Sequence, residues 1–303
     1  MRYRELGVTG ARVSEIGMGC NRLSEAGMPA AHWVALVQHA ISLGITLFDT
    51  AEAYNWGGSE EILGEAIGNR DDVLVADKVC RVRETGEKDW SPDRILQRLD
   101  ESLRRLRRDR IDIYQLHSPS LEEMQRYDWP LAMARAKEAG KIRFSGVSIN
   151  DAASGRWLIA QRLVDVMQVP FNMLEPAVGR DVFPLAADAG VGILVRVPMA
   201  QGILTGKFHP DRSVPEGHRA HQAGARMPRL IERAEAFRPL SDEGDLPMGR
   251  LALRYCLSQP GVSAAIPGAR TVEQLEGNVA ASSGHGLSDD LLERIAAVQA
   301  SWE

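Results

Sequence analysis

Cysteine is scarce in this chain. Cys20, Cys80 and Cys256 are the only three among 303 residues, and no two form a CxxC pair. Neither a disulfide framework nor a structural zinc site is therefore expected. Basic charge is not in excess either. The net charge of -5 gives no reason to expect a nucleic-acid partner. No apolar run approaches the length of a membrane span, and the opening MRYRELGVTG lacks the apolar stretch of a signal peptide. The expectation is a cytoplasmic protein in a reducing compartment. What remains is ordinary for a globular chain: 44% hydrophobic and 25% charged residues, ample for a sizeable core.

Within that composition, short apolar runs recur, each followed by a helical pattern. The strand candidates are Ile16–Gly19, Thr46–Asp49, Val73–Ala76, Ile111–Leu116, Ile142–Ser148, Asp165–Pro170, Gly192–Val197 and Ala264–Pro267. Most are apolar throughout rather than alternating, as parallel strands covered on both faces are. Eight strand–helix units in one chain of this length predict a single (β/α)8 barrel over residues 1–303, with a doubly wound sheet as the other candidate. Residues 1–10 fall outside the repeat and suit a small hairpin across the barrel's N-terminal end. Residues 199–246 read as a long irregular insert after the seventh strand, and Asp289–Glu303 as an extra C-terminal helix.

The clearest helix is SPDRILQRLDESLRRLRRD. Ser91 suits the N-cap, Pro92 the first helical position, and Ile95, Leu99, Leu103 and Leu106 one buried stripe. Its arginines Arg104, Arg105, Arg107 and Arg108 are read as a solvated outer face, since Asp100, Glu101 and Asp109 dilute their charge.

Active sites of such barrels lie at the C-terminal ends of the strands. There the second strand offers Asp49, with Tyr54 in the loop beyond it. The third offers Lys78, the fourth His117, the fifth Ser148, the sixth Gln168 and the seventh Arg196. A lone lysine or histidine at such a place is usually a surface or packing residue. Four compatible groups on three consecutive strands form a chemistry. A tyrosine hydroxyl ionises near pH ~10, and a neighbouring ammonium lowers that value. Lys78 supplies the ammonium, Asp49 holds it, and His117 can hydrogen-bond a carbonyl oxygen as charge develops there. The set could protonate an alkoxide as hydride reaches a carbonyl carbon.

Other chemistries lack their residues. Glycoside hydrolysis needs paired carboxylates, whereas the fourth and seventh strands end in His117 and Arg196. No HxH or HExxH cluster provides a metal site. GMGCNR has no third glycine for a Rossmann fingerprint, and GILTGKF is no P-loop.

At these residues the chain resembles the aldo-keto reductases. The matching stretches are GITLFDTAEAY, GGSEEILGEAI, DKV, IDIYQLHSP, KIRFSGVS, GILTGKF and IPGARTVEQLEGN, in family order over almost the whole chain. The resemblance implies an oxidoreductase that uses NADPH, with NAD possible, on a small-molecule carbonyl substrate. It makes Tyr54 the proton donor and Asp49, Lys78 and His117 the rest of a tetrad. Some members of this family instead bind the cofactor as redox-reporting regulatory subunits with little turnover.

The resemblance also assigns a cofactor site. Ser148 and Gln168 are expected on the nicotinamide carboxamide. The 201–207 stretch, with Gln201, Gly202, Leu204, Gly206 and Lys207, is expected along the pyrophosphate, and Asn278 at the adenine. Arg270 stands where a 2′-phosphate would lie, beside a helix start at which Thr271 and Gln274 have capping-box spacing. Some positions depart from the commoner family pattern. Gly268 replaces a phosphate-binding lysine, and Gly277 replaces an acidic residue. Ile149 stands where asparagine is common, with Asn150 as a substitute. Arg196 replaces an aromatic ring that stacks on the nicotinamide. Trp56, Trp90 and the insert are expected to shape the substrate pocket. Neither the substrate nor the oligomeric state is legible.

Overall fold

The computed structural model describes residues 1–79, 86, 88–283 and 286–302. Strands β1 (Tyr3–Glu5) and β2 (Arg12–Ser14) pair antiparallel as the expected hairpin. Leu6, between them, is fully buried and packs with Leu47, Leu74, Ile113, Val166 and Leu194. It thereby fills the barrel's N-terminal end. Gly7 lets the hairpin seat closely: a Cβ there would lie 2.3 Å from the Gly190 carbonyl oxygen. Arg2 and Arg4 each reach the buried Glu15 at 2.8 Å and fix the hairpin from outside.

The barrel strands follow: β3 (Met18–Gly19), β4 (Leu47–Asp49), β5 (Leu74–Val79), β6 (Ile111–His117), β7 (Ile142–Ser148), β8 (Val166–Pro170), β9 (Gly192–Arg196) and β10 (Val262–Ala265). Each pairs parallel with the next in chain order. Bridges Ile16–Ala265 and Gly19–Gly268 join last to first. This is the (β/α)8 barrel read from the sequence. The eighth strand begins at Val262, two residues before the apolar run suggested.

Helices α1 (Ala30–Ser42), α2 (Gly58–Ala66), α3 (Pro92–Leu106), α4 (Leu121–Arg126), α5 (Trp129–Glu138), α6 (Ala152–Ala160) and α7 (Ala177–Ala189) follow the earlier strands. The stretch 199–246 is not irregular throughout. It carries 3-10 turns at Ala200–Thr205 and Arg219–Arg226, then α8 (Met227–Glu235) and α9 (Arg238–Glu243). Leu230, Ile231, Ala234, Phe237 and Leu240 are buried there, so a helical apolar stripe lay within the polar composition. After α10 (Met248–Leu257) and α11 (Val272–Val279), α12 (Asp289–Ala300) is the extra terminal helix. Its Gln299 donates to the Met173 carbonyl at 2.7 Å. Trp302 meets Phe237 edge to face, with ring centroids 5.3 Å apart.

Helix α3 keeps Ser91 and Pro92 where the sequence put them and corrects the reading of its arginines. Ser91 sits at the N-cap, but its side chain makes no capping bond. Arg104 and Arg107 are exposed, while Arg105 turns in to the buried Glu60 at 2.6 Å. Arg108 is buried on the Gly68 and Arg70 carbonyls and Asp112. Glu52, equally buried, takes Arg98 at 2.6 Å. These arginines serve carboxylates on neighbouring elements, which local charge dilution could not reveal. Cys20 and Cys256 are free, buried thiols, and Cys80 lies outside the described residues. Among the described residues, no helix is long and apolar enough to cross a membrane.

Candidate active site

The strand ends bring the tetrad together at the C-terminal mouth. Lys78, fully buried at the tip of β5, lies 2.8 Å from Oδ1 of Asp49 and 2.9 Å from Oδ2. Its ammonium also donates to the Thr50 carbonyl at 2.6 Å and to the Tyr54 hydroxyl at 3.4 Å. The Tyr54 ring meets His117 edge to face, with centroids 5.7 Å apart.

Ser148 and Gln168 extend this chain. Register pairs His117 with Ser148 and Ser148 with Gln168 on neighbouring strands. Ser148 Oγ donates to Gln168 Oε1 at 3.3 Å, and Gln168 Nε2 donates to Asp49 Oδ1 at 2.7 Å.

Tyr54 owes its placement to a strained turn. Asn55 and Trp56 have φ of 49° and 53°, and Gly57 follows at 94°. Consecutive non-glycine residues in the left-handed region are uncommon. Asn55 is held there by donating to the Leu23 carbonyl at 2.6 Å. Gly57 is required, since a Cβ would lie 2.7 Å from Arg105 Cδ. Trp56 is half exposed at the mouth. Trp90, expected at the pocket, is fully buried in the hydrophobic core instead.

The electrostatics correct one expectation. Burial pushes Tyr54 above the ordinary tyrosine value; Lys78 pulls it back only in part. Burial alone would lower Lys78, but Asp49, Tyr54 and Asp77 hold it above its ordinary value. Tyr54 is thus a protonated phenol beside a charged ammonium.

Arg196 ends β9 and donates through Nη2 to the Ile149 carbonyl at 3.0 Å and to Asn150 Oδ1 at 2.7 Å. Neutral acceptors hold it, and Asn150 is engaged there. Burial lowers Arg196, against the pull of Tyr54 and Asp49.

The expected cofactor stretch has unusual backbone: Gln201 and Gly202 have φ of 59° and 98°, and Gly206 closes the turn at 78°. Leu204 is buried in the core, so its side chain faces inward. Lys207 is exposed. Across the barrel, Thr271 Oγ1 accepts from Gln274 N at 3.3 Å. The return bond of a capping box is shifted, because Gln274 Oε1 accepts from Arg270 N at 2.9 Å. Asn278 donates to the Gly268 carbonyl at 3.2 Å. Arg270 pairs with Glu25 at 3.3 Å, and Glu25 also pairs with Arg22 at 2.8 Å. Burial, then Arg22, His221, Lys207 and Arg270, depress His218 below its ordinary value. Four basic groups, Arg22, His221, Lys207 and Arg270, thus lie near enough to His218 to act on its charge.

Sequence reasoning missed Arg22, Glu25 and Asn55. Arg22 stands in GMGCNR, just past the first strand, where position alone could have flagged it. Among the described residues, no cluster of three or more His, Cys, Asp or Glu could hold a metal ion.

The chain belongs to the aldo/keto reductase family, whose model matches residues 15–300. The aldo-keto reductase YhdN of Bacillus subtilis is 33% identical over 301 residues, covering 91% of this chain and 87% of its own. The NADH-specific methylglyoxal reductase of Escherichia coli is 32% identical over 310 residues, covering 93% of each. Aldo-keto reductase AKR11C1 from Bacillus halodurans, in holo form, superposes with a TM-score of 0.85 at 29% identity, covering 98% of this chain and 96% of that one. Family membership makes the chain an oxidoreductase that binds a nicotinamide cofactor and acts on small carbonyl compounds.

Proposed function

We propose that this enzyme reduces an aldehyde or ketone to the alcohol, with Tyr54 as proton donor and NADPH as the preferred reductant. One observation carries the reading: the Lys78 ammonium is clasped by both Asp49 oxygens within hydrogen-bond distance of the Tyr54 hydroxyl.

The residues fit a dinucleotide. A polar pair, Ser148 and Gln168, lies beside the tetrad to take the carboxamide. The glycine turn at Gly202 and the cations Lys207, Arg22 and Arg270 suit the phosphates. When bound, the reduced nicotinamide supplies the hydride. Tyr54 delivers its proton to the carbonyl oxygen, and Lys78 stabilises the tyrosinate left behind. His117 orients the carbonyl oxygen beside Tyr54. Asp49 keeps Lys78 charged and in place. The site is thereby one unit in a single barrel domain acting in the cytoplasm.

Steady-state rates on a panel of aldehydes, ketones and alcohols, with both NADPH and NADH, test the reading. Rapid carbonyl reduction supports it. Tight cofactor binding with negligible turnover on every substrate would mark a redox-reporting module instead.

A further inference from the structure

Tyr54 sits in a loop whose base is closed by two buried hydroxyls. Thr50 Oγ1 and Ser59 Oγ lie 2.8 Å apart, and Ser59 Oγ donates to the Cys20 carbonyl at 2.8 Å. Between them the chain passes through the left-handed residues Asn55, Trp56 and Gly57. Strained backbone of this kind persists only where its surroundings over-determine it.

Helix α3 supplies a large part of those surroundings. Arg98, Glu101 and Arg105 recur at helical spacing and share one face. Arg98 Nε donates to Glu52 Oε2 at 2.6 Å, and its Nη1 to Glu101 Oε2 at 2.8 Å. Arg105 Nε donates to Glu60 Oε2 at 2.6 Å, and its Nη2 to Ser102 Oγ at 3.3 Å. Glu101 Oε2 lies 4.0 Å from Arg105 Nη1 and so links the two arginines. Glu52 and Glu60, both buried, stand before and after Tyr54 in the chain. One line of alternating charge, Glu52–Arg98–Glu101–Arg105–Glu60, thus holds the loop on both sides of Tyr54. Arg105 also packs on the turn itself: a Cβ on Gly57 would lie 2.7 Å from its Cδ and 2.9 Å from its Nε. At Gly64 a Cβ would lie 2.3 Å from the Arg105 carbonyl oxygen, so α2 is seated on the same residue.

The bond that this loop must deliver is a long one. Among the described residues, the Tyr54 hydroxyl is the most distant hydrogen-bond partner of the Lys78 ammonium, at 3.4 Å against 2.6 Å for the Thr50 carbonyl. A small displacement of the loop breaks it. We propose that Arg98 and Arg105 are positioning residues for carbonyl reduction: the charge line on α3 fixes the Tyr54 turn so that the hydroxyl meets Lys78. This deepens, and rests on, the reading of Tyr54 as proton donor.

Removing either arginine alone leaves a buried carboxylate unpaired and threatens the fold. The test therefore uses the double variant Arg105→Gln/Glu60→Gln, the conservative Arg105→Lys, and a control, Arg108→Gln/Asp112→Asn. The control breaks another buried ion pair, near the start of β6 at the other end of the barrel. The readouts are kcat and KM on the fastest substrate of the carbonyl panel, the NADPH dissociation constant, and amide hydrogen exchange across residues 50–59. In the double variant kcat should fall by about a hundredfold, the scale of a misplacement near 1 Å, with KM and NADPH affinity kept. Exchange at 50–59 should quicken. Arg105→Lys should recover part of kcat, and the control should keep kcat even where it melts lower. Two results overturn the proposal: kcat retained in the double variant, or an equal loss in the control. Wild-type turnover in Tyr54→Phe, or no turnover of any carbonyl by the wild type, instead overturns the proton-donor reading. Hydrogen exchange then decides the hold on the turn: faster exchange at 50–59 in the double variant alone sustains it, and exchange equal to wild type removes it.

Discussion

Gln168 donates to Asp49 across the barrel mouth, Nε2 to Oδ1 at 2.7 Å. Asp49 Oδ1 therefore serves two donors, since Lys78 approaches the same oxygen at 2.8 Å. The Ser148–Gln168 pair and the Lys78–Tyr54 pair are joined through one carboxylate. A change at either end is felt at the other through the orientation of Asp49.

Tyr54→Phe removes the proposed proton donor and keeps the ring against His117. Carbonyl reduction should fall by ~10²–10⁴-fold, the usual contribution of a positioned acid, while NADPH still binds. Lys78→Met should depress turnover as well, because tyrosinate then loses its counter-charge. Wild-type turnover in the Phe variant would remove Tyr54 from the role.

Because burial holds Tyr54 above the ordinary tyrosine value of about 10, reduction should be flat with pH through the neutral range and to about pH 9. Alcohol oxidation needs the tyrosinate and should rise with pH over the same interval. Both limbs can be read as kcat against pH. A reduction rate that halves below pH 8 would mean a proton donor with a much lower value.

Arg270 is shared with a carboxylate before any cofactor arrives: Glu25 lies 3.3 Å from it and 2.8 Å from Arg22. A 2′-phosphate at the proposed site would compete with Glu25 for both guanidinium groups. Glu25→Gln should tighten NADPH and leave NADH nearly unchanged. Arg270→Ala should weaken NADPH selectively, by roughly tenfold or more if a contact of about 1.5–3 kcal/mol is lost. Equal changes for the two dinucleotides in isothermal titration would reduce both residues to structural parts.

Arg196 is held on two neutral acceptors, the Ile149 carbonyl and Asn150 Oδ1. Oxidised nicotinamide is cationic and the reduced ring is neutral. If the guanidinium bears on the ring, dissociation constants should favour NADPH over NADP+, and Arg196→Tyr should shrink that ratio. Two unit charges ~4 Å apart interact by about 1 kcal/mol in water and about 4 at an effective dielectric of 20. An unchanged ratio in the variant places the charge elsewhere.

Asp77 precedes Lys78 and points away from the mouth, toward the buried Glu60 and Glu52. Burial, then those two carboxylates, raises it well above the ordinary aspartate value. Its contribution is therefore fully present below the unfolded value of about 3.9 and is lost as pH rises toward the folded one. Asp77→Asn keeps the shape and cannot ionise. The variant should melt higher than wild type at pH 8, with a smaller gap at pH 5. A gap that is constant with pH, or a variant that melts lower throughout, contradicts this.

The grouping of Asp49, Tyr54, Lys78 and His117 was legible because three of them stand at the tips of apolar strands and Tyr54 in the loop after the first, and parallel register carries strand tips to one rim. Asn55 was not legible. Its role depends on a left-handed turn and on a carbonyl 32 positions earlier. Arg105 and Glu60 were each visible, but nothing local joins residues 45 apart. Trp90 was misread because position near a strand end does not say whether a ring faces the pocket or the core.

Among the described residues, the hairpin closes the barrel's N-terminal end. With Leu6 filling the floor, the C-terminal rim is left as the approach that dinucleotide, carbonyl compound, alcohol and exchanging protons would share. Traffic through one opening must be sequential: whichever molecule lies deeper has to enter earlier and leave later. The floor of the barrel, far from any reacting atom, thereby imposes a queue on the chemistry above it.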